Sequence, residues 1–238
     1  MPRPPRYELA GVPQHVIQRG NNRQPAFFAD DDYEAYLEWL RDAAERHDCD
    51  VHAYVLMTNH VHLLVTPQQA GAIGKLMQSV GRRYVPYINA HYGRTGTLWE
   101  GRYKASLVDS AGYLLSCYRY IEMNPVRAQM VGHPGEYRWS SYAAHAQNHE
   151  DPLIRDHREY LALGRSGDER QRAYRALFRS RLGKAELSAI RSALNECRVY
   201  GSERFKDTIE VALKRSVRAG KAGRPRKANA PARKKISV

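Results

Sequence analysis

Two histidines one residue apart, His60 and His62, and a tyrosine and an asparagine four apart, Tyr120 and Asn124, are the side chains of this sequence whose types and spacing could do chemistry. Asn59-His60-Val61-His62-Leu63-Leu64-Val65 reads as a strand. Side chains alternate faces along a strand, so the two imidazoles point the same way, roughly 6.6 Å apart along the backbone, and can grip one metal ion. Tyr120-Ile121-Glu122-Met123-Asn124 reads as a helix, where residues four apart stack one turn above each other. Tyr120 then offers a nucleophile, and Asn124 an oxygen ligand on the same face. A tyrosine hydroxyl beside a metal ion is suited to attack a phosphodiester, because the metal neutralises charge on the oxygens while the tyrosine becomes a covalent link. Two His and one Asn leave coordination positions open and suit Mg²⁺ or Mn²⁺ in an octahedral shell, although imidazole also tolerates zinc.

Spacing chooses among the three tyrosines of that helix. Tyr118 is about 200° round from Tyr120 and belongs with Leu114 and Ile121, while Tyr113 shares the face but lies roughly 10 Å up the axis. Glu122, also about 200° round from Tyr120, is expected to be solvated. Pro125 disfavours helix at Asn124, so the helix should end or kink at the ligand.

The elements that must position these residues follow from periodicity. His15 to Arg19 is a short strand; Asp30 is expected to cap a helix with Tyr33, Tyr36, Leu37, Leu40 and Ala44 on its apolar side. Val51 to Met57 and His60 to Thr66 form a hairpin through Thr58-Asn59. Ile73, Leu76, Met77, Val80, Tyr84 and Ile88 trace one helical stripe, and Tyr103 to Val108 is a further strand. The order strand, helix, strand, strand, helix, strand is the split ferredoxin-like arrangement. Val61, Leu63 and Val65 should pack under the two helices, so His60 and His62 look out of the opposite face toward a third helix, capped by Ser110, that carries Tyr120.

These segments resemble those of the single-tyrosine HUH transposases (transposase IS200-like), and within them the REP-associated tyrosine transposases. The resemblance runs from about Pro13 to Tyr142. It rests on His15-Val16-Ile17-Gln18-Arg19-Gly20-Asn21-Asn22-Arg23, Ala53 to Leu64, Gly101-Arg102-Tyr103, Tyr120 to Ala128 and Trp139-Ser140-Ser141-Tyr142. It implies an α+β fold, a ferredoxin-like HUH domain with an antiparallel sheet. It also implies a metal-dependent single-strand DNA endonuclease and strand transferase working on hairpin-forming palindromes through a 5′-phosphotyrosine on Tyr120. The implied metal ligands are His60, His62 and Asn124. The implied DNA contacts are Arg19, Asn21, Arg23, Arg102 and Arg127, the partner is single-stranded or hairpin DNA, and the protein works as a monomer or homodimer. The reading from another class is a non-catalytic DNA-binding regulator with the same fold. A histidine-triad hydrolase would need a third histidine where this chain has Leu64.

Composition points the same way. The net charge is +13, and ten Lys or Arg with no acid between Lys214 and Val238 leave about +3 for the rest. A polyanion partner follows, and nucleic acid fits better than membrane because that segment lacks an apolar helical face. Gly223-Arg224-Pro225-Arg226-Lys227 resembles an AT-hook, which makes Arg224, Arg226 and Lys227 candidate minor-groove contacts. Cys49, Cys117 and Cys197 are too few and unpatterned for a disulfide framework, which fits a cytoplasmic, nucleoid-associated protein. The expected organisation is an HUH domain over residues 1–150, with His145 to Asp156 polar and loop-like. A small helical extension over 151–213 and a disordered basic tail over 214–238 follow.

Overall fold

Val61, Leu63 and Val65 alternate with His60, His62 and Leu64 along one strand, and two separate cores form on the two sides of that alternation. The computed structural model describes residues 6–218. In chain order it contains β1 (Gln14–Arg19), α1 (Asp30–Arg46), β2 (Cys49–Met57), β3 (His60–Pro67), α2 (Ala72–His91) and β4 (Lys104–Val108). After these come α3 (Ser110–Glu122), α4 (Asn124–Arg127), α5 (Tyr142–Ala146), α6 (Arg158–Leu161), α7 (Gly167–Leu177), α8 (Lys184–Asn195), β5 (Val199–Tyr200) and α9 (Glu203–Leu213). The sheet order is β2-β3-β1-β4-β5, which is the ferredoxin-like order with one strand added at the β4 edge. That last pairing is parallel, joining Leu107 to Val199 and Val108 to Tyr200. A two-residue strand has no periodicity to read, so the added edge departs from the expected all-antiparallel sheet.

Under the first face, α1 and α2 bury Tyr33, Tyr36, Leu40, Leu76, Val80, Tyr84 and Ile88 against Val16, Val61, Leu63 and Val65. Each such side chain contributes roughly 1.5–3 kcal/mol by leaving water, and this layer fixes which way β3 faces. The cap of α1 differs from expectation. Asp30 is the first helical residue, and it is the Asp32 carboxylate, three residues past the N-cap Ala29, that accepts from the backbone N–H groups of Phe28 (2.8 Å) and Ala29 (3.1 Å).

The second face is covered by α3 and by helices from beyond residue 150. Ala53, Val55, Met57 and Leu64 share one cluster with Leu114, Tyr118 and Ile121 of α3, Tyr174 of α7 and Ile190 and Ala193 of α8. Two expectations fail here. Glu122 is fully buried rather than solvated. Its carboxylate accepts from Ser141 Oγ (2.6 Å), His145 Nδ1 (2.8 Å) and Tyr174 Oη (2.6 Å). His145, expected in a loop, sits on α5 and is buried as one of those donors. Helical spacing told that Glu122 faces away from Tyr120 and could not tell that later helices cover that side.

The basic segment begins folded. Val217 is buried in a third small cluster with Tyr7, Leu107, Val199 and Ile209, and Arg218 pairs with Glu203, Asp207 and Glu210. Arg224, Arg226 and Lys227 lie outside the described residues. No helix among the described residues is long and apolar enough to cross a membrane.

Candidate active site

Strand pairing decides what meets the two histidines. Arg19 lies opposite His60 and Ile17 opposite His62 across the β1–β3 ladder. Cross-strand partners share a face, so His15, two residues before Ile17, joins the same side. The approach to His60 is fixed by Gly20, whose N–H donates to the Asn59 carbonyl at 2.8 Å. A Cβ at Gly20 would lie 2.2 Å from the Gln24 carbonyl oxygen, so no larger residue fits there without moving this loop.

Both ring orientations are set by hydrogen bonds at Nδ1. His60 Nδ1 lies 2.6 Å from Asn59 Oδ1, and since an amide oxygen only accepts, His60 carries its proton on Nδ1 and leaves Nε2 bare. His62 Nδ1 lies 2.9 Å from His15 Nε2, and in the tautomer where His62 donates, its Nε2 is bare as well. The His60 and His62 rings sit 5.1 Å apart between centroids. Burial, then the Arg19 charge, pushes the His60 imidazole down to about 4. Burial, then Arg127, pushes His15 to about 3. His62 is held well below the ordinary histidine range by burial, then by its two histidine neighbours and the nearby arginines. All three rings are therefore neutral at neutral pH, the state in which imidazole binds a metal.

Tyr120 arrives from α3. Its ring meets His62 edge-on at 5.8 Å and His15 at 5.5 Å between centroids. Tyr118, by contrast, is fully buried in the second core with Leu114 and Ile121, and Tyr113 packs on Tyr200. α3 ends at Glu122 and α4 starts at Asn124, with Pro125 behind it. Pro125 cannot donate to the helix ladder. Asn124 Nδ2 instead donates to the carbonyls of Tyr120 (3.0 Å) and Ile121 (3.1 Å). The amide nitrogen is thus used inside the helix end, and Oδ1 is the atom Asn124 has left for a ligand.

The basic residues divide. Arg127 stacks its guanidinium over the Tyr120 ring at 4.4 Å and donates to the Tyr120 carbonyl. Burial lowers it to about 10, so it remains a cation at the tyrosine. Arg19 and Arg102 line a groove beside β1 and β4. Asn21 and Arg23 lie in a short 3₁₀ turn after β1, and the Arg23 carbonyl accepts from Asn59 Nδ2 at 2.9 Å. Among the described residues no three His, Cys, Asp or Glu side chains gather as a metal cluster. His15 is the residue that sequence reasoning missed. Its alternation with Ile17 and Arg19 was readable, but only the adjacency of β1 and β3 sets it against His62.

Residues 10–124 match the family described as transposase IS200 like, a span that includes both histidines, Tyr120 and Asn124. No curated protein matches the chain at a significant level. Among solved structures, a REP-associated tyrosine transposase bound to a REP hairpin is similar with a TM-score of 0.50 and 14% identity, covering 66% of this chain and 93% of that one. It shows the fold. A Deinococcus radiodurans R1 protein assigned as a transposase has 25% identity and a TM-score of 0.35, covering 55% of this chain and 91% of its own.

Proposed function

We propose, from residues 10–124 being those of an IS200-like transposase, that the protein is a metal-dependent single-strand DNA endonuclease and strand transferase acting on hairpin-forming palindromes. The observation that carries this reading is the Tyr120 ring set edge-on to His62 on the face shared with His60. Tyr120 Oη attacks the phosphorus, an O–P bond forms, and the bond to the 3′ oxygen breaks. The strand leaves with a free 3′-hydroxyl, and the protein keeps a 5′-phosphotyrosine whose bond energy serves the reverse, joining step. The phenolic proton is lost to solvent and the departing oxygen gains one.

His60 Nε2, His62 Nε2 and Asn124 Oδ1 would hold Mg²⁺ or Mn²⁺. When bound, that ion supplies charge neutralisation on the phosphate oxygens and orients the leaving group. Arg127 adds a fixed cation at the tyrosine, where the phosphate would sit. Arg19, Asn21, Arg23 and Arg102 bind the strand, and the protein acts as a monomer or homodimer in the cytoplasm.

The test is incubation with single-stranded hairpin oligonucleotides and Mn²⁺ or Mg²⁺, followed by denaturing electrophoresis. A covalent protein–DNA adduct is expected. Hairpin binding with no nick and no adduct under any divalent ion would leave the non-catalytic regulator as the better account.

A further inference from the structure

The sheet face that carries His60 and His62 continues past them as a basic floor. Arg19 stands opposite His60, Ile17 opposite His62, and Lys104 of β4 opposite Ile17, so all of them point to one side. α8 packs over β1, β4 and β5 on that side. Its last residue, Asn195, closes a groove of about 140 Å³ with Ile17, Arg19, Glu100, Arg102 and Lys104. Arg19, Arg102 and Lys104 enter no ion pair among the described residues. Three unpaired cations against one carboxylate call for an anion. The groove is well below the ~300–1,000 Å³ of a site for a whole drug-sized ligand, which limits its occupant to one small unit at a time. Ile17 supplies an apolar surface for a flat ring, while Asn195 offers the adjacent donor and acceptor that read a base edge.

We propose that this groove is a subsite for one unpaired nucleotide next to the cleaved phosphate, with its phosphate on Arg19, Arg102 and Lys104, its base over Ile17, and the base edge read by Asn195. It rests on the DNA-cleaving reading above and adds that α8, outside the family-matched residues 10–124, confers base selectivity. Asn195 and Lys104 are exposed, so alanine at either leaves the fold intact, which a thermal melt checks.

The experiment offers wild type, Asn195→Ala and Lys104→Ala a pool of hairpin oligonucleotides randomised at the unpaired positions flanking the stem, with Mn²⁺, and sequences the adducts. Wild type should prefer one base at one position, and Asn195→Ala should flatten that preference by about tenfold. Lys104→Ala should lower yield for all sequences alike and reduce the salt slope of single-strand affinity by about 0.7. A wild type without preference at any position, or an Asn195→Ala profile identical to wild type, overturns the proposal. If wild type forms no adduct at all, the cleavage reading fails instead. The groove is then judged on the sequences retained by binding alone, where an unchanged profile and an unchanged salt slope in both variants overturn it.

Discussion

His15 Nε2 lies 2.9 Å from His62 Nδ1, deep in the sheet face, and Tyr120 touches both rings edge-on. His15 therefore holds the orientation of the His62 ring without facing solvent itself. Loss of such a partner typically weakens metal affinity 10–100-fold. His15→Ala should raise the Mn²⁺ concentration for half-maximal cleavage by about that factor, and Mn²⁺ titration by electron paramagnetic resonance should show the same shift without DNA. His15→Gln, which can still pair with Nδ1, should recover part of it. A variant with a lower melting temperature but unaltered Mn²⁺ affinity would make His15 a packing residue only.

Tyr120→Phe should abolish both nicking and adduct formation while hairpin affinity stays nearly the same. It removes only the hydroxyl that becomes the covalent bond, and it keeps the ring that packs on His15, His62 and Arg127. A Phe variant that still forms an adduct would move the nucleophile elsewhere. Tyr118 is a poor substitute, because it is fully buried in the second core.

Glu122→Ala should cost about 3 kcal/mol or more in urea denaturation, because His145 and Tyr174 would each keep a buried donor with no acceptor, while Ser141 Oγ can fall back on the Tyr54 carbonyl at 3.3 Å. Glu122→Gln should cost less, since its amide oxygen still accepts and the Tyr174 hydroxyl can turn to accept from the new NH₂. Equal melting of wild type and Glu122→Ala would mean that these donors find water instead.

Much of the first 125 residues was legible, for a physical reason. β3 is covered on one face by α1 and α2, so alternation alone sends His60 and His62 to the other, and Pro125 marks the point where α3 gives way to α4 at Asn124. What stayed hidden needed contacts distant in sequence. Glu122 reads as a surface residue until α5 and α7 supply its partners from residues 141 to 174. His15 gains meaning only when β1 is laid beside β3. Asn195 joins the site face through helix packing that carries no local signal. Val199 and Tyr200 are too few to announce a strand.

His52 and His157 give the folded protein an acid-sensitive contact away from the candidate site. Their rings meet at 5.0 Å, and His52 also bonds the Arg155 carbonyl (2.6 Å) and Thr66 Oγ1 (2.8 Å), tying β2 to the start of α6. Burial, then His52 and Arg158, pushes His157 down to about 4, and burial likewise lowers His52. The unfolded chain therefore binds more protons below about pH 6.5, so stability is full above that value and falls as pH drops toward 4. The loss for His157 at pH 5 should be about 1 kcal/mol after discounting for solvent access. His157 Nδ1 also accepts from the Glu159 N–H as an N-cap, a task asparagine performs well. His157→Asn should thus keep stability at pH 8 and shrink the difference between pH 8 and pH 5. An unchanged difference would place the acid sensitivity on other groups.

Residues 219–238 hold seven Lys or Arg and no acid, and their contribution to DNA binding should be electrostatic. The informative truncation falls after Arg218 and not after Leu213, because Val217 is buried and Arg218 is paired with three acids on α9, and losing them would loosen the folded part. Each phosphate neutralised releases condensed counterions, worth about 0.9 in the slope of log affinity against log salt on duplex and about 0.7 on single strands. Truncation should flatten that slope and weaken binding to all sequences together. The cleavage position should not move, because that choice belongs to the face holding His60, His62 and Tyr120. If Arg224-Pro225-Arg226 enters the minor groove, the loss at equal salt should be larger on A·T-rich than on G·C-rich duplex, where the narrow groove concentrates negative potential. Equal loss on both would leave a plain charged arm, and an unaltered slope would take the segment off the DNA.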